Sequence, residues 1–508
     1  MAEKEIAVVP VTPKSSWKGW LWDSADVSPE ERRFLLKLDF TLLSFGTLGM
    51  LTKWIDTSNI TNAFVSGMKE DLNLYHNEYN YIVVSWTVGY IIGQLPSNFI
   101  LTRVPAHIWI PFLEIGWTVF TFALAGANSY SALLGIRFVV GLFEAGYWPA
   151  LYYILGSWYN KRELGKRNGI LQSAVSIAPI FSGFLQAGIY KSLNGHAGLA
   201  GWRWLFIING VISLPIAVLA YFFLPDVPGN AKPNWLFSER EIELAKERMA
   251  RAGRTLQGTP YSVKTIFGYL TSWKTILFTL IFTIQPFTSQ PQQSFVFWLK
   301  AHNKKGQKPV YSISQINEYP TIGNAFTAVY SLVAVWVSDG PLKGRRYPPI
   351  LFANLCAIII FTLLVVTPVF GPFNHRAPLY IVSSIGGSAV PLTMAWMAEL
   401  ISHSAEQRAF TAASMNTLQY TFSAWIPLVW FQQVHQPNVT PGNRGAAVVA
   451  GLNVIIFTTI FLLDRREKLQ KKRSGELNDA SASSEPSTPV SEDYNEKQAS
   501  SGVKGIEA

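Results

Sequence analysis

Two stretches of this chain carry charges where an apolar environment tolerates them least. In KWIDTSNITNAFVSGMKEDL, residues 53–72, Lys53 and Asp56 stand at the far end of a long apolar run. In RFVVGLFEAGYWPALYYILGSWY, residues 137–159, Arg137 and Glu144 are seven positions apart. A charge at the centre of a membrane helix costs about 2.5 to 3.5 kcal/mol, so such residues are expected to pair or to face water. Seven residues make nearly two turns, about 10 Å of axis, so Arg137 and Glu144 share a face. Gly141 lies between them and leaves room for a neighbouring helix or a ligand group. Arg137 would then attract an anion while Glu144 gains and loses a proton; the alternative is a salt-bridge network that only locks helices together. Lys53, Asp56 and Thr57 fall on one side of their helix. They line a cavity or, if Lys53 snorkels to the outer surface, they form an anchor. Glu114 is given no role, because a small shift of its span would bring it to the interface.

The later part of the chain is polar without being charged. Gln285, Pro286, Ser289, Gln290, Pro291, Gln292, Gln293 and Ser294 interrupt an apolar run with amides, hydroxyls and prolines. A broken membrane helix needs a wet or protein-lined cavity. Gly386, Gly387, Pro391, Asn416, Gln419 and Tyr420 have the same character. Each serves a substrate or, equally, interhelical hydrogen bonds and close packing. Asp339, Lys343, Arg345 and Arg346 form a tight charged turn suited to gating or to topology.

The elements that must position these residues are membrane helices. Of 508 residues, 49% are hydrophobic and only 15% charged, against roughly a quarter in soluble domains. Twelve spans are expected near residues 38–63, 80–102, 106–127, 131–155, 168–190, 202–224, 273–298, 319–338, 348–368, 377–400, 408–432 and 442–463. This is an all-α membrane protein of two six-helix bundles, 38–224 and 273–463. A cytoplasmic segment, 1–37, precedes them, a linker, 225–272, joins them, and a tail, 464–508, follows. Ser238 and Glu241 have capping-box spacing, which predicts a short helix in the linker running toward Gly253. From Ser474 the composition predicts disorder. No removable signal peptide is expected.

Basic residues in the linker, at 161–167, at 343–346 and at 465–473 place both termini in the cytoplasm, with Lys300, Lys304, Lys305 and Lys308 as a minority violation outside. The net charge of +10 therefore reflects orientation in a bilayer, and nucleic acid is not an expected partner. The single Cys356 excludes intrachain disulfides and cysteine-rich metal sites. No phosphate loop, zinc helix or nucleotide-binding module is present, so no cofactor is expected and no enzyme is indicated. The Asn438 sequon lies in an outside loop; Asn59 begins a second that should stay unmodified inside a span.

Asp56-Thr57-Ser58-Asn59-Ile60, the stretch from Arg137, GWRWLFIINGVISLP from Gly201 and SDGPLKGRR from Ser338 together resemble the major facilitator superfamily over residues 30–465, in its fungal anion:cation symporter branch (allantoate permease-like). Within it, residues 53–72 and WTVGYIIGQLP look like the pantothenate and biotin transporters. The resemblance implies a plasma-membrane, proton-coupled importer of a small organic monoanion, working by alternating access and expected to be monomeric. Pantothenate is favoured and biotin is the alternative; a non-transporting nutrient receptor is the alternative of another class. Lys53, Asn59, Arg137, Gln290, Gln293 and Asn416 are the expected substrate contacts. Asp56 and Glu144 would couple the proton, and Arg103, Asp339, Arg345 and Arg346 would form a cytoplasmic gate. Two departures stand out: the wider branch often has Arg after the first-span Asp, where this chain has Thr57, and Asn98 occupies a neighbourhood where Asp is common. Lys53 is the candidate substitute for the missing arginine.

Overall fold

A computed structural model describes residues 27–101, 103–251, 263–304, 306–401 and 404–482, and the regular elements among them are helices. The first, α1 (Pro29–Asp71), starts where Ser28 accepts the Glu31 amide at 3.2 Å and Pro29 takes the first helical position. Two π turns, Asp39–Leu43 and Phe64–Met68, lie within it. The helix thus runs well beyond the expected 38–63, and Lys53 and Asp56 sit near its middle, where a charge is dearest.

The first half continues with α2 (Glu78–Leu101), α3 (Ala106–Ala125), α4 (Tyr130–Trp158), α5 (Lys161–Leu193) and α6 (Gly201–Phe223). Two shorter helices, α7 (Glu239–Arg251) and α8 (Val263–Leu270), occupy the linker. The second half comprises α9 (273–301), α10 (Ile313–Asp339), α11 (Tyr347–Val366), α12 (Phe373–Leu400), α13 (Ala405–Val429) and α14 (Thr440–Ala482). Helix α9 is broken, as its prolines and amides predict, into Trp273–Ile284, a 3-10 turn Gln285–Ser289 and Gln290–Ala301. Nine helices among the described residues are long and apolar enough to cross a membrane. Of the twelve expected spans, α2, α9 and α13 fall short of that mark, the break in α9 and the polar residues of all three lowering it.

Within the first half, α2 packs on α4, α3 on α6, and α1 on α5 and α6. The halves meet where α5 lies against α10 and α2 against α13. Gly141 shows why α2 and α4 come so close: a Cβ there would run into the Trp86 carbonyl oxygen. The room that glycine leaves is therefore filled by a helix and not by a ligand.

The predicted capping box forms in the linker, with the Ser238 amide 2.8 Å from Glu241 Oε2. Helix α7 docks on the first half through Lys37–Glu241 at 2.9 Å and Arg248–Glu163 at 2.5 Å, with Phe237 packed on Trp158. Partial burial works against ionisation of Glu241, but the Lys37 ammonium and the Ser238 amide hold its carboxyl below the usual range. The expected end of this helix near Gly253 falls outside the described residues.

A compact unit ends at Phe457. Beyond it the chain continues as one helix through Ala482, with Lys468 on Asp464 at 2.7 Å. Disorder was expected from Ser474; helix extends past it, and residues 483–508 lie outside the described residues.

Candidate functional site

The four charges singled out by spacing converge in the first half, each of them 3% exposed or less. Asp56, on α1, accepts from Thr121 of α3 at 3.0 Å, from Arg137 of α4 at 3.4 Å and from Asn209 of α6 at 3.4 Å. Three helices thus meet on one carboxylate. Glu144 neighbours Asp56, Lys53 and Arg137, yet among the described residues neither of its oxygens has a hydrogen-bond partner of good geometry. Among the described residues Arg137 also leaves Nε unpartnered, and it holds its guanidinium 5.8 Å from the Trp86 ring. Arg137 and Glu144 therefore share a face, but the geometric ion pair runs from Arg137 to Asp56, on another helix.

Lys53 is buried, which removes the anchor reading, since a snorkelling ammonium would reach the surface. It makes no hydrogen bond or ion pair among the described residues, and its ammonium lies 4.7 Å from the centre of the Tyr90 ring. Tyr90 in turn stands 4.4 Å from Tyr420 of the second half, with Trp86 beside both. Nearby, Thr417 of α13 reaches Gln94 of α2 at 3.4 Å. An aromatic group contributed by both halves thus borders a buried cation that makes no close ion pair among the described residues. Trp86, Tyr90 and Gln94 recur every four residues on one face of α2, a periodicity that could have singled them out. Thr57 turns its hydroxyl back to the Lys53 carbonyl at 3.1 Å.

Asn59 is buried one turn beyond Asp56 and accepts from Ser182 at 2.7 Å, which also rules out its modification in the folded chain. On α9, Gln290 is half-buried and Gln293 exposed, and neither makes a hydrogen bond among the described residues. They lie one and two turns before Phe297, whose ring packs on Phe64 and Tyr79 of the first half. Both amides therefore sit on the face turned to the opposite bundle. Gln292, one position away, bonds Asn324 at 2.7 Å, and Thr288 donates to the Gly386 carbonyl at 3.0 Å. Asn416 is half-buried one turn before Tyr420.

The expected gate residues do not form one cluster. Arg346 bridges Asp339 and Glu399, the latter at 2.7 Å, all within the second half. Arg345 is exposed and engages Ser338 through its carbonyl at 3.1 Å. Arg103 is exposed, its guanidinium 4.1 Å from the Phe99 ring centre.

The contacts that cross between the halves gather at the opposite end, where α1 finishes. Lys300 reaches Glu70 at 2.9 Å and the Phe64 carbonyl at 3.3 Å. That carbonyl opens the π turn where Gly67 takes a left-handed φ of 121°. Asn80 donates to the carbonyls of Pro427 and Phe431 and accepts the Gln433 amide at 3.1 Å. Asn317 donates to Ser66 at 3.0 Å. Lys300, which reads in the sequence as a misplaced basic residue, is thus half of an ion pair between bundles.

The sequence profile of the Major Facilitator Superfamily matches residues 46–427. A relative in Schizosaccharomyces pombe, the pantothenate transporter liz1, is 32% identical over 87% of this chain and 84% of its own length. The vitamin H transporter of Saccharomyces cerevisiae is 31% identical over 86% of this chain and 74% of its own. In structure, the chain is similar to the partially occluded inward open conformation of the xylose transporter XylE from E. coli. The TM-score is 0.61 at 14% identity, covering 83% of this chain and 98% of that one, a likeness of fold.

Proposed function

Since the chain belongs to the Major Facilitator Superfamily, and is thus a multi-pass membrane transporter and not an enzyme, we propose that it imports a small carboxylate vitamin, pantothenate foremost, together with protons. The observation that carries this reading is Lys53, buried with no close ion pair among the described residues beside an aromatic group built from both halves. A substrate carboxylate would supply the missing charge, and charge-assisted hydrogen bonds are the strong ones. Gln290, Gln293 and Asn416 would meet the amide and hydroxyls of the remainder. Similarity to a pantothenate transporter favours that vitamin, and similarity to a vitamin H transporter makes biotin the alternative.

Asp56 and Glu144, side by side among Lys53 and Arg137, would take up and return the proton as the substrate's charge arrives and leaves. One proton per monoanion makes the cycle electroneutral, and a second lets the membrane potential assist by about 2.3 kcal/mol per 100 mV. Contacts gathered where α1 ends support alternating access. With both termini cytoplasmic and the protein in the plasma membrane, this arrangement corresponds to a closed outer end and release to the inside. The chain would act as a monomer, its two halves sharing one site.

The test is uptake of labelled pantothenate in cells lacking their own carriers, competed by biotin and other carboxylates across external pH. Acid-stimulated uptake displaced best by pantothenate is expected. Uptake indifferent to pH would remove the proton role, and stronger competition by biotin would exchange the substrate.

A further inference from the structure

Glu114 has no part in the cluster above, yet it is 2% exposed, and among the described residues neither carboxyl oxygen has a hydrogen-bond partner of good geometry. It lies against Gly49 of α1: a Cβ at that glycine would collide with Glu114 Oε1 and with the Tyr147 hydroxyl. Tyr147 is the titratable group facing it from α4, and the single proton of its hydroxyl serves two acceptors, this carboxyl and the Gly46 carbonyl at 3.3 Å. Helix α1 contributes Gly46 and Gly49 here, and α6 brings Asn209 and Ser213 among its buried residues. Lys53 and Asp56 follow Gly49 by one and two turns. On α3, Thr118 falls between Glu114 and Thr121, the donor to Asp56, and the Thr118 hydroxyl is also buried without a partner. Glu114, Thr118 and Thr121 thus mark a polar line of about 10 Å along α3 that starts at Asp56 and leads away from the end where the halves are latched.

A membrane-buried carboxyl that faces a tyrosine hydroxyl and no cation is a functional group by default, because a packed apolar side chain would cost less. We propose that Glu114 is a second proton-binding site, a station between the Asp56–Glu144 pair and the unlatched end. This rests on the proton-coupled reading. The proton leaves the pair on a water molecule that moves past the Thr121 and Thr118 hydroxyls, and joins the Glu114 carboxylate, the water being released unchanged. It then goes to water, restoring the carboxylate.

The experiment uses the full chain in proteoliposomes and separates two activities: pantothenate uptake driven by a pH gradient, and counterflow of labelled against unlabelled pantothenate, which moves no net proton. For Glu114→Gln, gradient-driven uptake should fall about tenfold or more with counterflow within about twofold of wild type, and Glu114→Asp should recover part of the loss. Thr118→Val should slow gradient-driven uptake about threefold, again sparing counterflow. Infrared difference spectra of the solubilised protein between about pH 5 and pH 9 should lose a protonated-carboxyl band in Glu114→Gln. Unchanged gradient-driven uptake in Glu114→Gln, or a spectrum with the same protonated-carboxyl intensity as wild type, would overturn the assignment to Glu114 alone. Wild-type uptake that ignores the gradient would take down the coupling reading and this inference together.

Discussion

The two halves of this transporter spend their polar residues in different ways. In the first, Lys53, Asp56, Arg137 and Glu144 are gathered from α1 and α4 into one buried cluster, with Thr121 and Asn209 supplying neutral donors. In the second, the face of α9 opposite that cluster carries Gln290 and Gln293, and α13 carries Asn416, with no charge among them. Charges act over longer range than amides in a medium of low dielectric, and they respond to protons. Amides read shape and hydrogen-bonding pattern at contact distance. Under the proposed function, coupling and charge recognition would fall to one half and selectivity to the other.

The comparison breaks most readily at Glu144. Glu144→Gln should abolish proton-driven accumulation, a loss of about a hundredfold or more, while exchange of substrate for substrate survives. Normal pH dependence in this variant would sink the division of labour. Next comes Lys53. Lys53→Ala should weaken binding of a carboxylate by about 10- to 100-fold, as expected for a hydrogen bond to a charged group, with little effect on its neutral amide analogue. Equal losses for both compounds would deny Lys53 its role as the anion contact.

A smaller effect is expected at the seam that both halves share. Lys300→Ala or Asn80→Ala should loosen the latched end by about 1 to 2 kcal/mol each, raising the population open on that side roughly fivefold to thirtyfold. Faster labelling from outside the cell of a Gln293→Cys, Cys356→Ala protein would report it, and an unchanged rate would make these contacts incidental. The smallest change belongs to the amides. Gln293→Ala should alter the ratio of pantothenate to biotin uptake by about threefold, one neutral hydrogen bond's worth, and a proportional loss of both would mark the residue as structural.

Much of this was legible in the sequence because the membrane makes charges conspicuous. Asp56, Arg137 and Glu144 stand out in their apolar spans, the prolines and amides of residues 285–294 break α9 as their chemistry requires, and Ser238 with Glu241 starts α7. Other features had no such signal. Thr121, Asn209 and Trp86 are ordinary residues of membrane helices until tertiary packing sets them around Asp56 and Lys53. Lys300 conflicted with the charge rule for loops because that rule counts basic residues without asking what they touch, and Glu70 is its partner from 230 positions away. Glu114 could not be placed, since span boundaries read from hydropathy shift by several residues.

By itself, the sequence determined that this chain lives in a membrane, that its helices fall in two sets, and which few charges must be paired or put to use. These follow from transfer free energies, which depend on residue type and local run length alone. Only the tertiary structure decided which charges meet: Arg137 turned to Asp56 on another helix, Lys53 left beside Tyr90 with no close ion pair among the described residues, and Glu114 aligned with Gly49. Partner choice depends on how helices rotate and approach one another, which residues such as Gly141 permit but no single span encodes.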